Sequence, residues 1–227
     1  MPEPPQFPQT EAPADSLRRA LLYLGETIPD VELVRSRNLL RRVRGDTQLH
    51  LRFQSSTWSR RGVGVWLTMS ATVHDAALRR WRTEHPELTR RTGDVLTTLG
   101  RLGPGIQLYG PLDRQRPFED VPRFIVEEAL PILDWFASPA TALAQMPAQQ
   151  RRNSLDRLVE WAVSRDEREV ALALLRTSFA EVPSMRERVD RDRKAGIPPG
   201  TPSGNAGDFL GPAIIRLGLL APDEPLP

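Results

Sequence analysis

The feature that most constrains this chain is a pair of alternating apolar runs between Gln48 and Val73, joined by a short basic loop. The apolar positions are Leu49, Leu51 and Phe53 in the first run and Val63, Val65, Leu67, Met69 and Ala71 in the second. Successive side chains of a strand point to opposite faces, so each run has one apolar face. The pattern predicts an antiparallel hairpin. Because a hairpin alone is only marginally stable, helices elsewhere in the chain must cover its apolar face.

Further elements are predicted on both sides of this hairpin. Helical spacing of leucines indicates a helix at about residues 15–26, and residues 38–44 are expected to form a strand that pairs with the first run. A helix at residues 74–84, capped by Asp75, follows the second run, with Arg79, Arg80 and Arg82 largely on its polar face. Weaker alternation at residues 94–102 and 106–109 would extend the sheet to four or five strands. The sequence therefore predicts an α+β fold with a twisted antiparallel sheet of three to five strands packed against helices, followed by a C-terminal helical hairpin.

The second half of the chain has a helical pattern. A helix starting near Val121 should be kinked by Pro131, because proline lacks the N–H that the helix needs. Helices at about residues 149–164 and 166–180 have a short connection, which is typical of a helical hairpin, and a further helix follows. The expected organisation is a disordered tail at 1–14, an α+β domain at 15–146, a helical hairpin packed on it at 147–194, and a linker, short helix and tail at 195–227.

Composition excludes several classes of protein. The chain has no cysteine, which excludes disulfides, zinc–thiolate sites and thiol nucleophiles. The three histidines lack the paired spacing of a metal site, so neither a metal nor a cofactor is expected. No apolar run approaches the roughly 18 residues of a membrane span, and the N-terminal segment lacks the pattern of a secretory signal. The sequence predicts a cytoplasmic protein that does not contact membranes.

Charge is distributed unevenly along the chain. Residues 1–117 contain 18 arginines and 12 acidic residues, a net charge of +6, whereas the remainder has 13 basic and 17 acidic residues, a net charge of −4. Arginine supplies all basic residues except Lys194, a bias typical of genomes rich in G and C. The asymmetry has two interpretations: the halves attract each other, or the basic half binds an anionic partner.

The candidate binding surface is the basic and aromatic rim of the hairpin. Guanidinium groups bind phosphates and carboxylates, and tryptophan rings stack on bases or anchor protein interfaces. The alternative is an ordinary solvated sheet face with its tryptophans covered by helices. The residues predicted to contact a partner are Arg42, Arg44, Arg52, Gln54, Ser56, Trp58, Arg60 and Arg61.

No catalytic set is assembled in the sequence. A serine–histidine–aspartate arrangement would require Ser55 or Ser56 with His50 and a distant aspartate, and no nucleophile-elbow pattern surrounds either serine. The glycine-rich stretches at residues 62–64 and 100–105 lack the lysine and hydroxyl residues of a phosphate-binding loop.

The segment LRRVRGDTQLHLRFQSSTWSRRGVGVWLTMSATV, followed by GRLGPGIQLYG and LPILDWF, resembles a family of bacterial proteins of unknown function with an F-Q-x-S strand motif. Phe53, Gln54 and Ser56 occupy the motif positions, and the likeness covers roughly residues 17–180. Some members look like components of toxin–immunity or conflict loci. The resemblance implies a binding role and no catalytic residues to carry over.

Three hypotheses for function follow. The first is a non-enzymatic, immunity-like binding protein with a protein partner. The second is a nucleic-acid-binding protein that uses the basic rim, for which affinity should fall steeply with salt. The third is a small-molecule or hydrolytic enzyme that uses Gln54, Ser55 or Ser56 in a pocket beside the sheet.

Overall fold

The computed structural model describes residues 3–89, 91–110, 116–194, 207–221 and 223–227. The chain divides into two compact units: unit 1 comprises Met1–His74 and Thr98–Asp134, and unit 2 comprises Asp75–Thr97 and Trp135–Pro227. The predicted α+β class is confirmed. The predicted domain boundaries at residues 146 and 194 concern which parts of the chain fold independently, and they stay predictions.

Unit 1 is built on a mixed sheet that is mostly antiparallel. Its strands are β1 (Glu32–Val34), β2 (Leu39–Arg44), β3 (Thr47–Ser55), β4 (Val65–Asp75), β5 (Val95–Arg101), β6 (Ile106–Tyr109) and β7 (Arg116–Pro117). The order is β1-β2-β3-β4-β6-β7, and β5 also pairs with β4. The sequence predicted three to five strands. The described residues form seven, because β1 and β7 are too short to show an alternating pattern in the sequence.

The two central strands alternate as predicted, except that β4 begins at Val65, so Val63 lies in the preceding loop and is exposed instead of contributing to the apolar face. Every apolar side chain of β3 is buried, and the polar residues between them are half-buried or exposed. In β4 the residues from Val65 to Val73 alternate strictly between buried and half-buried. In the β2–β3 pairing Leu40 lies opposite Leu51, so both point to the same buried face.

Helix α1 (Pro13–Thr27) covers this buried face. It packs against β1, β2 and β3, and its buried side includes Leu17, Leu21 and Leu24. The helix begins with proline at its first position, where the missing N–H has no helical partner to lose. Helix α1 therefore provides the predicted helical cover for the β3 strand of the hairpin.

The segment before α1 has specific contacts in the structure, although its composition predicts a disordered tail. The ring of Phe7 packs edge-on against Phe118, with centroids 5.0 Å apart. The Gln9 carbonyl accepts a hydrogen bond of 2.9 Å from the Gly62 N–H. Aromatic packing and a backbone hydrogen bond attach these residues to unit 1.

The helix predicted from Val121 is irregular. It begins as α3 (Val121–Phe124), continues as one π turn at Ile125–Ala129, and ends as a 3₁₀ helix at Leu130–Phe136. Pro131 lies just inside the 3₁₀ segment. A proline ring clashes with the carbonyl four residues earlier, so a continuous α-helix is unfavourable here.

Unit 2 is largely helical. Its helices are α2 (Ala76–Glu84), α4 (Pro139–Gln145), α5 (Ala148–Asn153), α6 (Leu155–Ser164), α7 (Arg168–Glu181), α8 (Pro183–Lys194) and α9 (Gly207–Arg216). Helix α6 packs against α2, α7 and α9. The predicted linker at 195–207 lies outside the described residues except for Gly207, where α9 begins.

The predicted cap of α2 is confirmed. The Asp75 carboxylate accepts a hydrogen bond of 2.7 Å from the Leu78 backbone N–H. The burial of Arg82 differs from the expectation that it lies largely on the polar face of α2. Only 4% of Arg82 is exposed, because α6 packs against α2 on that side.

Candidate functional site

The loop between β3 and β4, residues 56–64, forms an ordered hairpin tip. The Ser56 N–H donates to the Trp66 carbonyl at 2.7 Å, and the Arg60 N–H donates to the Gly64 carbonyl at 2.9 Å. The Ser59 hydroxyl donates to the Trp66 carbonyl and accepts from its N–H, both at 3.0 Å. These contacts fix the loop at the end of the two central strands.

The side chains at the hairpin tip are open to solvent. Trp58 is 75% exposed and Val63 is 56% exposed. Arg60 and Arg61 are also exposed, and neither has an acidic partner among the described residues. Trp66 differs, because its ring packs over the backbone of Gly64 and the residue is half-buried. The hairpin tip therefore presents one open tryptophan beside two cations.

Arg42 and Arg44 belong to a different surface. In the β2–β3 register Arg42 lies opposite Leu49, whose side chain points to the buried face covered by α1. The Arg42 guanidinium lies 3.9 Å from the Asp30 carboxylate. Arg44 forms an ion pair with Asp134. Local carboxylates thus neutralise both cations.

Arg52 and Gln54 lie on the opposite face of β3 and are exposed. Arg52 lies opposite Leu39 in the pairing and has no acidic partner among the described residues. Ser56 is half-buried, and its hydroxyl accepts a hydrogen bond of 3.2 Å from the Trp58 N–H. Of the eight residues predicted to contact a partner, four share the hairpin tip: Ser56, Trp58, Arg60 and Arg61.

A second group of charged residues, missed by the sequence analysis, lies in unit 2. We call Arg82, Arg91, Asp156 and Glu160 the α6 charge cluster, since both carboxylates belong to α6. An Arg82 nitrogen donates to Glu160 at 2.6 Å, with side-chain exposures of only 2% and 6%. Arg91 forms an ion pair with Asp156.

Each carboxylate oxygen of the α6 charge cluster accepts a hydrogen bond from the protein. On Asp156, one oxygen accepts from Arg91 and the other from the Arg157 N–H at 2.9 Å. On Glu160, one oxygen accepts from Arg82 and the other from the Thr89 hydroxyl. Arg82 also donates to the carbonyls of residues 93 and 95, at 3.1 and 3.2 Å. Buried charges are tolerated when they are satisfied in this way.

Burial is the largest cause of the pKa shifts of Asp156 and Arg157. Desolvation raises the pKa of Asp156, although the nearby Arg91 guanidinium opposes the shift. The pKa of Arg157 is lowered by burial and by the like charges of Arg91 and Arg82. Both shifts have burial as their largest cause, so they indicate a desolvated environment beside α6.

The sequence does contain a signal for the cluster. Asp156 and Glu160 are four residues apart, so they lie on one helical face. They interrupt a stretch whose apolar residues, Leu155, Leu158 and Val159, are buried. Two acidic residues on one face of so apolar a helix indicate buried ion pairs. The pattern does not identify their partners, because Arg82 and Arg91 are far away in the sequence.

Within the described ranges, no three histidine, cysteine, aspartate or glutamate side chains are grouped closely enough to hold a metal ion. No helix in the described part of the chain is long and apolar enough to cross a membrane.

Comparison of the chain with protein-family models, with curated proteins and with solved structures finds no match in any of the three.

Proposed function

We propose that this protein is a non-enzymatic binding protein whose hairpin tip contacts an acidic surface of a protein partner. The observation that carries the proposal is the exposure of Trp58 beside Arg60 and Arg61 on an ordered loop. Tryptophan and arginine are the residues most enriched among those that dominate binding energy at protein interfaces. The lack of cysteine suits a reducing compartment, and we place the binding in the cytoplasm.

Order in the loop supports this function. The hydrogen bonds of Ser56, Ser59 and Arg60 hold the backbone of the tip, so its side chains are presented from a rigid base. A rigid base reduces the conformational entropy that binding would otherwise remove. Val63 adds a second exposed apolar side chain to the hairpin tip.

A protein partner is favoured over nucleic acid by the distribution of charge. Two cations of the predicted rim have acidic partners, Arg42 with Asp30 and Arg44 with Asp134, and the neighbouring Arg41 pairs with Glu32. Nucleic-acid surfaces are continuous basic stripes or patches that track a phosphate backbone. A small cluster of two arginines around exposed apolar side chains fits a protein contact better. Under the family resemblance, that partner would be a component of a toxin–immunity locus.

The test compares three forms of the full chain as bait in extracts of the organism that encodes it. They are the wild type, the triple variant Trp58→Ala/Arg60→Glu/Arg61→Glu, and the control Arg101→Glu, which reverses an exposed arginine of β5 outside the tip. Chemical crosslinking identifies the surface that each captured protein presents. We expect near-stoichiometric recovery of one protein by the wild type and the control, a loss of at least tenfold with the triple variant, and crosslinks to an acidic region.

Capture that is equal for the wild type and the triple variant would contradict the proposal, as would recovery of no specific protein. A parallel titration with fluorescent single-stranded DNA and RNA at low salt tests the alternative. If DNA or RNA binds, if the triple variant loses this binding, and if the affinity falls steeply with salt, the partner is nucleic acid and not protein.

A further inference from the structure

Three further arginines lie at the same end of the sheet as the hairpin tip. Arg35 and Arg37 begin and end a short 3₁₀ turn between β1 and β2, and Arg52 lies on β3. The Phe53 N–H donates to the Asn38 carbonyl at 2.9 Å, so the turn ends beside the part of β3 that leads into the hairpin tip. We call Arg35, Arg37 and Arg52 the second arginine group.

The backbone that carries this group is ordered. The Asn38 N–H donates to the Arg35 carbonyl at 3.3 Å, which closes the 3₁₀ turn. Asn38 itself has a left-handed conformation, with φ of 50°, which asparagine adopts more readily than most residues do. The turn and the strand therefore present the three arginines from a fixed backbone, as the loop contacts do at the hairpin tip.

The second arginine group has no local counter-charge. All three side chains are exposed, and none has an acidic partner among the described residues. The nearest acid before the turn, Glu32, pairs with Arg41. Between residues 33 and 61 the chain contains one acid, Asp46, which lies in the turn at the other end of β2 and β3. Solvated cations arranged in this way attract an anionic partner.

We propose that the second arginine group binds a carboxylate-rich segment of the same protein that the hairpin tip contacts, an inference that rests on the proposed function. Guanidinium groups present planar forks that match carboxylates. Protein interfaces have an apolar centre and a polar rim. Here Trp58 and Val63 supply the exposed apolar side chains, and the arginines on the two sides supply the charges.

The spacing of the charges favours a protein segment over nucleic acid. Residues 54–57, between the second arginine group and the hairpin tip, are uncharged. The basic residues therefore form two separate groups and not the continuous stripe that tracks a phosphate backbone. Exposed rim charges of this kind mainly steer the partner and make association depend on salt.

The test measures binding of fluorescent oligoglutamate to the full chain by fluorescence anisotropy at low salt, with oligothymidylate of equal charge as a second probe. We expect oligoglutamate to bind and its affinity to fall as salt is added. The variant Arg35→Glu/Arg37→Glu/Arg52→Glu should weaken this binding at least tenfold.

A matched control changes the net charge equally. Arg79→Glu/Arg101→Glu/Arg191→Glu reverses three exposed arginines outside both groups, and it should weaken oligoglutamate binding by no more than about twofold at moderate salt. If the glutamate variant of the second arginine group folds poorly by circular dichroism, glutamine at the same three positions carries the test. It removes the charges without reversing them and should weaken binding at least fivefold.

Three results would overturn the proposal. They are no oligoglutamate binding at low salt, equal weakening by the control variant, and tighter binding of oligothymidylate that the variant of the second arginine group abolishes. The last result would assign the group to nucleic acid. The proposed function is tested by capture with the variant of the hairpin tip, which leaves the second arginine group intact, so the two proposals fail separately.

Discussion

At the hairpin tip, Arg60 and Arg61 are exposed and have no acidic partner among the described residues, whereas in the α6 charge cluster Arg82 is buried against Glu160. The same side chain serves two physical roles. A solvated guanidinium contributes little to folding but is available to a partner, and a buried one is needed for stability because its removal leaves a carboxylate uncompensated. Sequence composition alone does not separate these roles, since both regions are rich in arginine.

The largest expected effect is on the buried pair. Glu160→Gln leaves the Arg82 charge in a buried site without its carboxylate, and we expect the free energy of unfolding to fall by about 3–5 kcal/mol. Urea denaturation followed by tryptophan fluorescence measures this change. The matched surface control, Arg41→Gln, breaks an exposed pair with Glu32 and should cost less than about 1 kcal/mol.

A double variant sharpens the same comparison. Arg82→Met/Glu160→Leu removes both charges and keeps much of the volume, so it should recover most of the stability lost in Glu160→Gln. If the double variant is no more stable than the single one, the cost comes from packing and the interpretation of Arg82 as a charge partner is wrong.

The next effect concerns the two tryptophans. The buried Trp161 donates its indole N–H to Asp75 at 3.0 Å. Trp161→Phe removes this donor, and we expect a loss of about 1–3 kcal/mol in the free energy of unfolding. Trp58→Phe at the hairpin tip is the matched control and should change stability by less than about 0.5 kcal/mol. If urea denaturation shows the same loss of free energy of unfolding for both substitutions, the two regions do not differ in how their tryptophans contribute to stability.

A smaller effect should appear in the pH dependence of stability. Burial raises the pKa of Asp156, so its contribution is fully present below the unfolded pKa of about 3.9 and is lost as pH rises through the folded value. In unit 1, the hydrogen bond from Arg19 lowers the pKa of Glu11, so its contribution is present above about 4.3 and is lost as pH falls through the folded value. The contributions of the two carboxylates to the free energy of unfolding therefore change in opposite directions as pH rises.

Urea denaturation of Asp156→Asn and Glu11→Gln at several pH values tests these signs. Relative to the wild type, Asp156→Asn should gain stability as pH rises from strongly acid conditions, and Glu11→Gln should lose it. Parallel trends for the two variants would show that burial does not govern Asp156.

The smallest effect on stability is expected at the hairpin tip. The exposed side chains of Trp58, Arg60 and Arg61 have few contacts to lose, so each substitution in the triple variant should change the free energy of unfolding by no more than about 0.5 kcal/mol. Thermal unfolding monitored by circular dichroism measures the sum. A triple variant whose free energy of unfolding is lower than that of the wild type by more than about 2 kcal/mol would mean that the tip side chains are part of the core.

The fold was predictable where a single periodicity dominated. Alternation placed β3 and β4, and Asp75 marked the start of α2, because these signals are local. The register that places Arg42 opposite Leu49, on the face covered by α1, was not predictable, because alternation in β2 is imperfect. What the sequence could not supply was the pairing of Arg44 with Asp134, ninety positions away.

The candidate sites divide in the same way. Exposure of Trp58 follows from its place in a polar loop, whereas burial of Arg82 depends on the packing of α6 against α2. Short strands such as β1 and β7 carry too few residues for any pattern. Long-range packing therefore decided the positions at which sequence reasoning failed.

The two contacts of the Gln9 carbonyl make one backbone amide useful as an experimental probe. It receives the Gly62 N–H and also lies 3.4 Å from the Tyr109 hydroxyl, so one oxygen fastens the segment before α1 to both the loop and β6. The Gly62 amide should then exchange slowly with deuterium despite its place in a solvent-exposed loop. The exchange rate of this amide therefore shows whether an affinity label fused before α1 has detached the segment from the loop and β6.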